Sequence, residues 1–199
     1  MRGSARLALL SLAVLALAAG CFAQMSSEMR RAAAPVPAPG PNESVVVFMR
    51  PTEAFACCQA KVFDVRDAAA DELVGIIAPY TKVAYKTTPG KHFFMVVGED
   101  ASFLRAELLP GKTYYVRVYT TQGQTVKERY ELVPLRRAEL DSGAFRALDA
   151  GDLLENTPES LAWAEENRDE VQQRKAARLR VWLDTSDDPS AALHPEDGV

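Results

Sequence analysis

The sequence predicts a mainly β fold: an antiparallel β-sandwich with a C-terminal helical appendage. Three observations carry that expectation. Short apolar runs, rich in β-branched and aromatic residues, recur between 45 and 133 with turn residues between them. The tripeptide Pro-Gly-Lys stands just before a run twice, at Pro89-Gly90-Lys91 and Pro110-Gly111-Lys112. Beyond them the pattern changes, and Thr157-Pro158-Glu159 reads as the start of a long helix.

The first 20 residues stand apart. Fourteen of them are apolar and none is acidic. Arg2 and Arg6 precede an apolar run from Leu7 to Ala19 broken only by Ser11. A membrane span needs about 20 apolar residues. This run is shorter and has the form of the apolar core of an export signal. It closes on Ala18-Ala19-Gly20-Cys21. That ending resembles the lipobox of bacterial lipoproteins, which implies diacylation of Cys21 and cleavage before it. The alternative is ordinary signal-peptidase cleavage, for example after Ala19 or Ala23, giving a soluble periplasmic or secreted protein. Phe22 follows Cys21 where an aspartate would imply retention in an inner membrane. In a two-membrane cell the resemblance therefore implies an outer-membrane lipoprotein facing the periplasm.

Residues 21–44 are expected to form the lipidated cysteine and an unfolded tether. Pro35, Pro37, Pro39 and Pro41 alternate with Val36, Ala38 and Gly40. Alternating proline favours extended polyproline II at about 3.1 Å per residue, so about 20 such residues could reach roughly 60 Å. Arg30 and Arg31 could lie near anionic lipid.

Residues 45–134 form the predicted sandwich, with strands at 45–50, 60–65, 73–77, 82–87, 92–97, 102–108, 113–120 and 126–133. In each Pro-Gly-Lys turn, proline presets φ and glycine accepts a positive φ. Strand 92–97 is apolar on both faces: His92, Phe94 and Val96 on one, Phe93, Met95 and Val97 on the other. Val45 to Met49 behaves likewise. A strand with one wet face would alternate, so these two should be covered on both sides, by a partner sheet and by the C-terminal helices or another subunit.

The stretches Val46-Val47-Phe48-Met49-Arg50-Pro51, Thr88-Pro89-Gly90-Lys91-His92 and Leu109-Pro110-Gly111-Lys112-Thr113-Tyr114-Tyr115-Val116-Arg117-Val118 resemble a family of small bacterial exported domains of unknown function. Those domains are similar to PEGA-type and transthyretin-like β-sandwiches. The resemblance covers residues 45–120 and implies an Ig-like or PEGA-like sandwich. Its motifs are turn and core elements and imply no catalytic site.

Residues 135–183 are expected to be helical: a short helix near 139–148, a turn at Gly151, then one helix over 158–183. In the long helix Glu159, Glu165, Glu166, Asp169 and Glu170 precede Arg174, Lys175, Arg178 and Arg180, which complements the helix dipole. Glu170 and Arg174 form an i,i+4 pair. Leu161, Ala164, Val171, Leu179 and Trp182 make an apolar stripe with Trp163 beside it. Residues 184–199 read as a disordered acidic tail containing His194.

Composition narrows the function classes. The chain has 199 residues, net charge −4, three cysteines and two histidines. Without the first 20 residues it holds 21 basic and 27 acidic residues, net −6. That balance argues against nucleic acid, whose binding rests on a basic surface. No Gly-x-Ser-x-Gly, phosphate loop, dinucleotide fingerprint or His-Glu-x-x-His occurs. No cofactor or metal site is predicted, and the chain reads as a non-enzyme.

Four groups remain as candidates. Cys57-Cys58 is either a disulfide, redox or metal pair or two loop cysteines without a task; it lacks the spacer of thioredoxin-like motifs. His92, at a strand start after a turn, reads as a structural hydrogen-bonding histidine. Asp71-Glu72 and Glu99-Asp100 read as solvated turn carboxylates. Tyr115, Arg117 and Tyr119 share one strand face. They either bind glycan or peptide by stacking or receive Trp163 and the long helix. The expected role is a lipid-anchored envelope protein that binds or supports envelope proteins. A glycan- or peptidoglycan-binding accessory domain and a thiol-redox protein are the alternatives.

Overall fold

The computed structural model describes residues 28–51, 59–65, 71–122, 128–185 and 191–199. Cys21, Cys57 and Cys58 lie outside them.

The described chain is mainly β, arranged as two sheets. The strands are β1 (Met29–Arg31), β2 (Ser44–Met49), β3 (Ala60–Asp64), β4 (Glu72–Ile77), β5 (Thr81–Thr87), β6 (Gly90–Val97), β7 (Ala101–Leu108), β8 (Lys112–Gln122), β9 (Glu128–Pro134) and β10 (Asp152–Asn156). All eight sequence-predicted strands are present within two or so residues of their expected ends. One sheet runs β1-β10-β5-β2-β8-β9 and the other β4-β3-β6-β7. The smaller sheet is antiparallel throughout. The larger is mixed, because β10 pairs with β5 and β2 pairs with β8 in parallel. The expectation of a wholly antiparallel architecture is therefore corrected. Parallel neighbours need long connections, and pairing across long connections leaves no local mark.

The Pro-Gly turns carry the chain from one sheet to the other. Gly90 joins β5 of the larger sheet to β6 of the smaller, and Gly111 joins β7 back to β8. Both have positive φ, 125° and 72°, which glycine adopts without a Cβ clash.

Two cores result. The large one takes Val46 and Phe48 from β2, Phe94 and Val96 from β6, and Tyr114, Val116 and Val118 from β8. Phe48 meets Phe94 across it, edge to face at 5.1 Å. The second core lies on the other side of β2 and gathers Val45, Val47 and Met49 with Leu135 and Leu148. The doubly apolar strands are thus covered on both faces, as their composition requires.

Among the described residues three α-helices follow: α1 (Gly143–Asp149), α2 (Pro158–Glu166) and α3 (Arg168–Thr185). Helix α1 covers the second core; Ser142 Oγ caps it by accepting from the Phe145 N–H at 3.0 Å. Helix α3 covers the smaller sheet, where Trp182 packs on Phe93 and Phe103 at 5.3 and 5.6 Å. The single helix expected over 158–183 breaks at Asn167. There the amide side chain donates to the Trp163 carbonyl at 2.8 Å, and the backbone leaves helical geometry. Asparagine competes in this way for the bonds that would continue a helix. The predicted start holds: Thr157 and Ser160 cap each other's N–H groups, with Pro158 in the first turn.

Three further expectations are corrected by long-range pairing. The tether is folded from Met29 onward, since β1 pairs with β10. Its Arg30 and Arg31 are bound to Glu155 and Asp152 at 2.7 and 2.5 Å instead of being held out for lipid. Val36, in the proline run, packs against the second core. The region 135–183 is not an appendage, because β10 inside it is an interior strand of the larger sheet. Residues 191–199 of the tail fold onto the body: Leu193 is only 1% exposed and sits in the large core. Val199 exchanges backbone hydrogen bonds with Thr113 at 2.8 and 3.0 Å.

Candidate functional site

Tyr115, Arg117 and Tyr119 project from one face of β8, and the fold divides them. Tyr115 lies under α1, its ring edge-on to Phe145 at 4.9 Å. Burial, and then the nearby Asp149 carboxylate, push its hydroxyl above the ordinary tyrosine pKa. Tyr119 is 44% exposed, and the Arg117 guanidinium lies 5.6 Å from its ring centre. Arg117 Nε is buried without a hydrogen-bond partner among the described residues. Across the β8–β9 ladder Tyr119 faces Glu131 and Arg117 faces Val133. Trp163 and the long helix do not pack here: Trp163 lies over Lys61 of β3, and α3 lies on β6 and β7. The strip therefore has one packing residue, Tyr115, and a half-buried arginine beside an exposed tyrosine.

His92 holds the β5–β6 turn, as a structural histidine would. Its Nε2 lies 2.8 Å from the Thr88 carbonyl, which can only accept, so Nε2 carries a hydrogen. Its Nδ1 lies 3.1 Å from Asp64 Oδ2, and that oxygen accepts from the Tyr85 hydroxyl at 3.0 Å. The ring stacks on Phe94, 5.7 Å away and 7° from parallel. Both ring nitrogens are thus engaged by oxygen. Sequence spacing could not have assigned Asp64 as the partner, since it stands 28 residues away on another strand.

Two of the paired carboxylates are corrected. Asp71 is 2% exposed at its side chain, bound by Lys175 Nζ at 2.9 and 3.0 Å and by Gln172 Nε2 at 2.8 Å. Asp100 is mostly buried and lies 3.4 Å from Arg129 and 3.6 Å from Arg178. Each ties α3 or β9 to a turn, so neither is free in solvent. His194, expected in a disordered tail, instead donates its backbone N–H to Asp197 Oδ2 at 2.8 Å.

The Arg-Pro that ends the first predicted strand also has a structural use. Arg50 is fully buried, its guanidinium 4.9 Å from the Tyr130 ring centre and 3.3 Å from Thr120 Oγ1. Among the described residues no three histidine, cysteine, aspartate or glutamate side chains are grouped to hold a metal. No helix of the described residues is long and apolar enough to cross a membrane. The chain matches no family model, and no curated protein matches it.

Proposed function

We propose that the chain is an exported, lipid-anchored envelope protein, a non-enzymatic binding or structural module anchored through Cys21 in an outer membrane and facing the periplasm. The observation that carries this reading is the order of the N-terminal sequence: two arginines, a short apolar run, Ala19-Gly20-Cys21, and then a β-rich body whose first strand begins at Met29. Two or more acyl chains suffice for stable anchoring, since each buried CH₂ contributes about 0.8 kcal/mol. We read the two sheets, which share one core through pairs such as Phe48 and Phe94, as an Ig-like or PEGA-like sandwich. Radiolabelled palmitate separates the outcomes. Wild type should take up label and fractionate with membrane, and Cys21→Ser should do neither; an unlabelled wild type overturns the anchor.

A second reading rests on the exposed Tyr119 beside the half-buried Arg117. An exposed ring beside a guanidinium suits stacking on a sugar face with charge-assisted bonds to its oxygens. In this reading the module binds glycan or peptidoglycan. Tyr119→Ala should lose retention on peptidoglycan while melting like wild type. Unchanged retention excludes it.

A further inference from the structure

We infer that the lipid surface itself is a docking partner of the body, met by the first turns of α2 where the chain arrives from its anchor. The inference rests on the lipid anchor at Cys21 proposed above. The expected tether of about 20 residues is reduced by the structure to the few residues between Cys21 and Glu28. Seven residue steps span at most about 25 Å even when fully extended. A body on so short a leash stays beside the bilayer.

The end of the leash is fixed. The Thr157 hydroxyl donates to the Glu28 carbonyl at 2.7 Å, and β1 pairs with β10 immediately after. Thr157 is also the cap of α2. The chain therefore enters the body at the N-terminus of this helix. At that place Pro158, Leu161 and Ala162 are exposed, Leu161 by 51%. The sequence pattern assigns Leu161 to the inward stripe. In the structure Val171 is the buried member, Ala164, Leu179 and Trp182 are partly buried, and Leu161 alone of that stripe is exposed. The neighbouring charges on β1 and β10 are neutralised in pairs, Arg30 with Glu155 and Arg31 with Asp152; on α2 itself Glu159 stands at the rim, and Glu165, paired with Arg168, and Glu166 follow one turn further on. A small apolar patch beside paired charges suits the boundary between headgroups and acyl chains, where such surfaces insert by about 5–10 Å.

The test uses the full lipidated chain in vesicles of phosphatidylethanolamine and phosphatidylglycerol containing lipids brominated on their acyl chains. Leu161→Trp places an indole on the patch. Val181→Trp, at a residue 50% exposed on α3, serves as the comparison. Leu161→Trp should show a blue shift and a loss of emission that Val181→Trp does not. Inserting a flexible segment of about 20 residues between Met25 and Ser26 should weaken that quenching. If the chain carries palmitate and floats with vesicles but the two variants are quenched equally or not at all, the docking is overturned and the anchor stands. If it neither carries palmitate nor floats, the anchor is overturned and the docking with it.

Discussion

Gly198 lies against the ring of Tyr114: a Cβ built on Gly198 falls 2.6 Å from Tyr114 Cζ and 2.8 Å from Lys112 Cδ. Tyr114 is itself fully buried, so the ring has nowhere to go. Gly198→Ala should therefore push the C-terminal segment off β8 and cost about 1–3 kcal/mol, the usual penalty for overpacking. Amide exchange at Val199, whose N–H is bound by Thr113, should rise in step with the loss measured by urea unfolding. Protection unchanged from wild type would show that the segment is not held by this contact.

Leu193 tests whether the tail belongs to the core. It is bonded through its backbone to Arg105 and Glu107 at 2.9 and 3.0 Å, and its side chain is in the large cluster. Leu193→Ala should cost about 2–5 kcal/mol, as core leucines do. Leu161→Ala, on the exposed face of α2, should stay within about 0.5 kcal/mol. Equal effects in chemical denaturation would contradict the docking of the tail.

Two ion pairs should behave differently. Lys175 faces the buried Asp71, and its removal leaves a carboxylate in the interior. Lys175→Met should cost about 3 kcal/mol and loosen α3, with Gln172 still donating to Asp71. The Lys86–Glu43 pair, 3.1 Å apart, is almost half exposed on both sides. Its loss in Lys86→Ala should cost less than about 1 kcal/mol. Thermal melts of the two variants, side by side, decide whether burial sets the difference.

Alkaline pH should destabilise the fold through two tyrosines. Burial raises the pKa of Tyr114 and of Tyr115, the latter with help from Asp149. The unfolded chain then loses these protons at a lower pH than the folded one. Their contribution is complete below the unfolded tyrosine pKa and is lost as pH climbs through the folded values. Tyr115→Phe should remove part of the late tyrosinate absorbance, and Phe145→Ala should move that part to lower pH by opening the cover over Tyr115. A Phe145→Ala titration identical to wild type would disprove the role assigned to burial.

The candidate site was only partly legible in the sequence. The period of β8 put Tyr115, Arg117 and Tyr119 on one face, and the structure keeps them there. Alternation along a strand cannot say how far a covering helix extends, so it could not separate Tyr115, beneath Phe145, from the exposed Tyr119. The same holds for His92. Its place after Pro89-Gly90-Lys91 indicated a hydrogen-bonding role, while its side-chain partner Asp64, which Tyr85 also binds, was set by the tertiary fold. The cover that the C-terminal helices give strand 92–97 was legible in its two apolar faces, but the break between α2 and α3 was not, since a stripe of Leu161, Ala164 and Val171 assumes one straight helix and Asn167 ends it.

By itself the sequence determined the eight central strands, both positive-φ glycine turns and the capped start at Thr157. Each depends on side-chain period or backbone chemistry within a few neighbouring residues. Tertiary structure alone decided that Met29–Arg31 and Asp152–Asn156 are strands, that two strand pairs run parallel, and that Leu193 enters the core. A three-residue strand carries too little pattern to be seen, and its hydrogen bonds go to residues more than a hundred positions away, Arg30 to Glu155. Only the folded chain brings those edges within reach of one another.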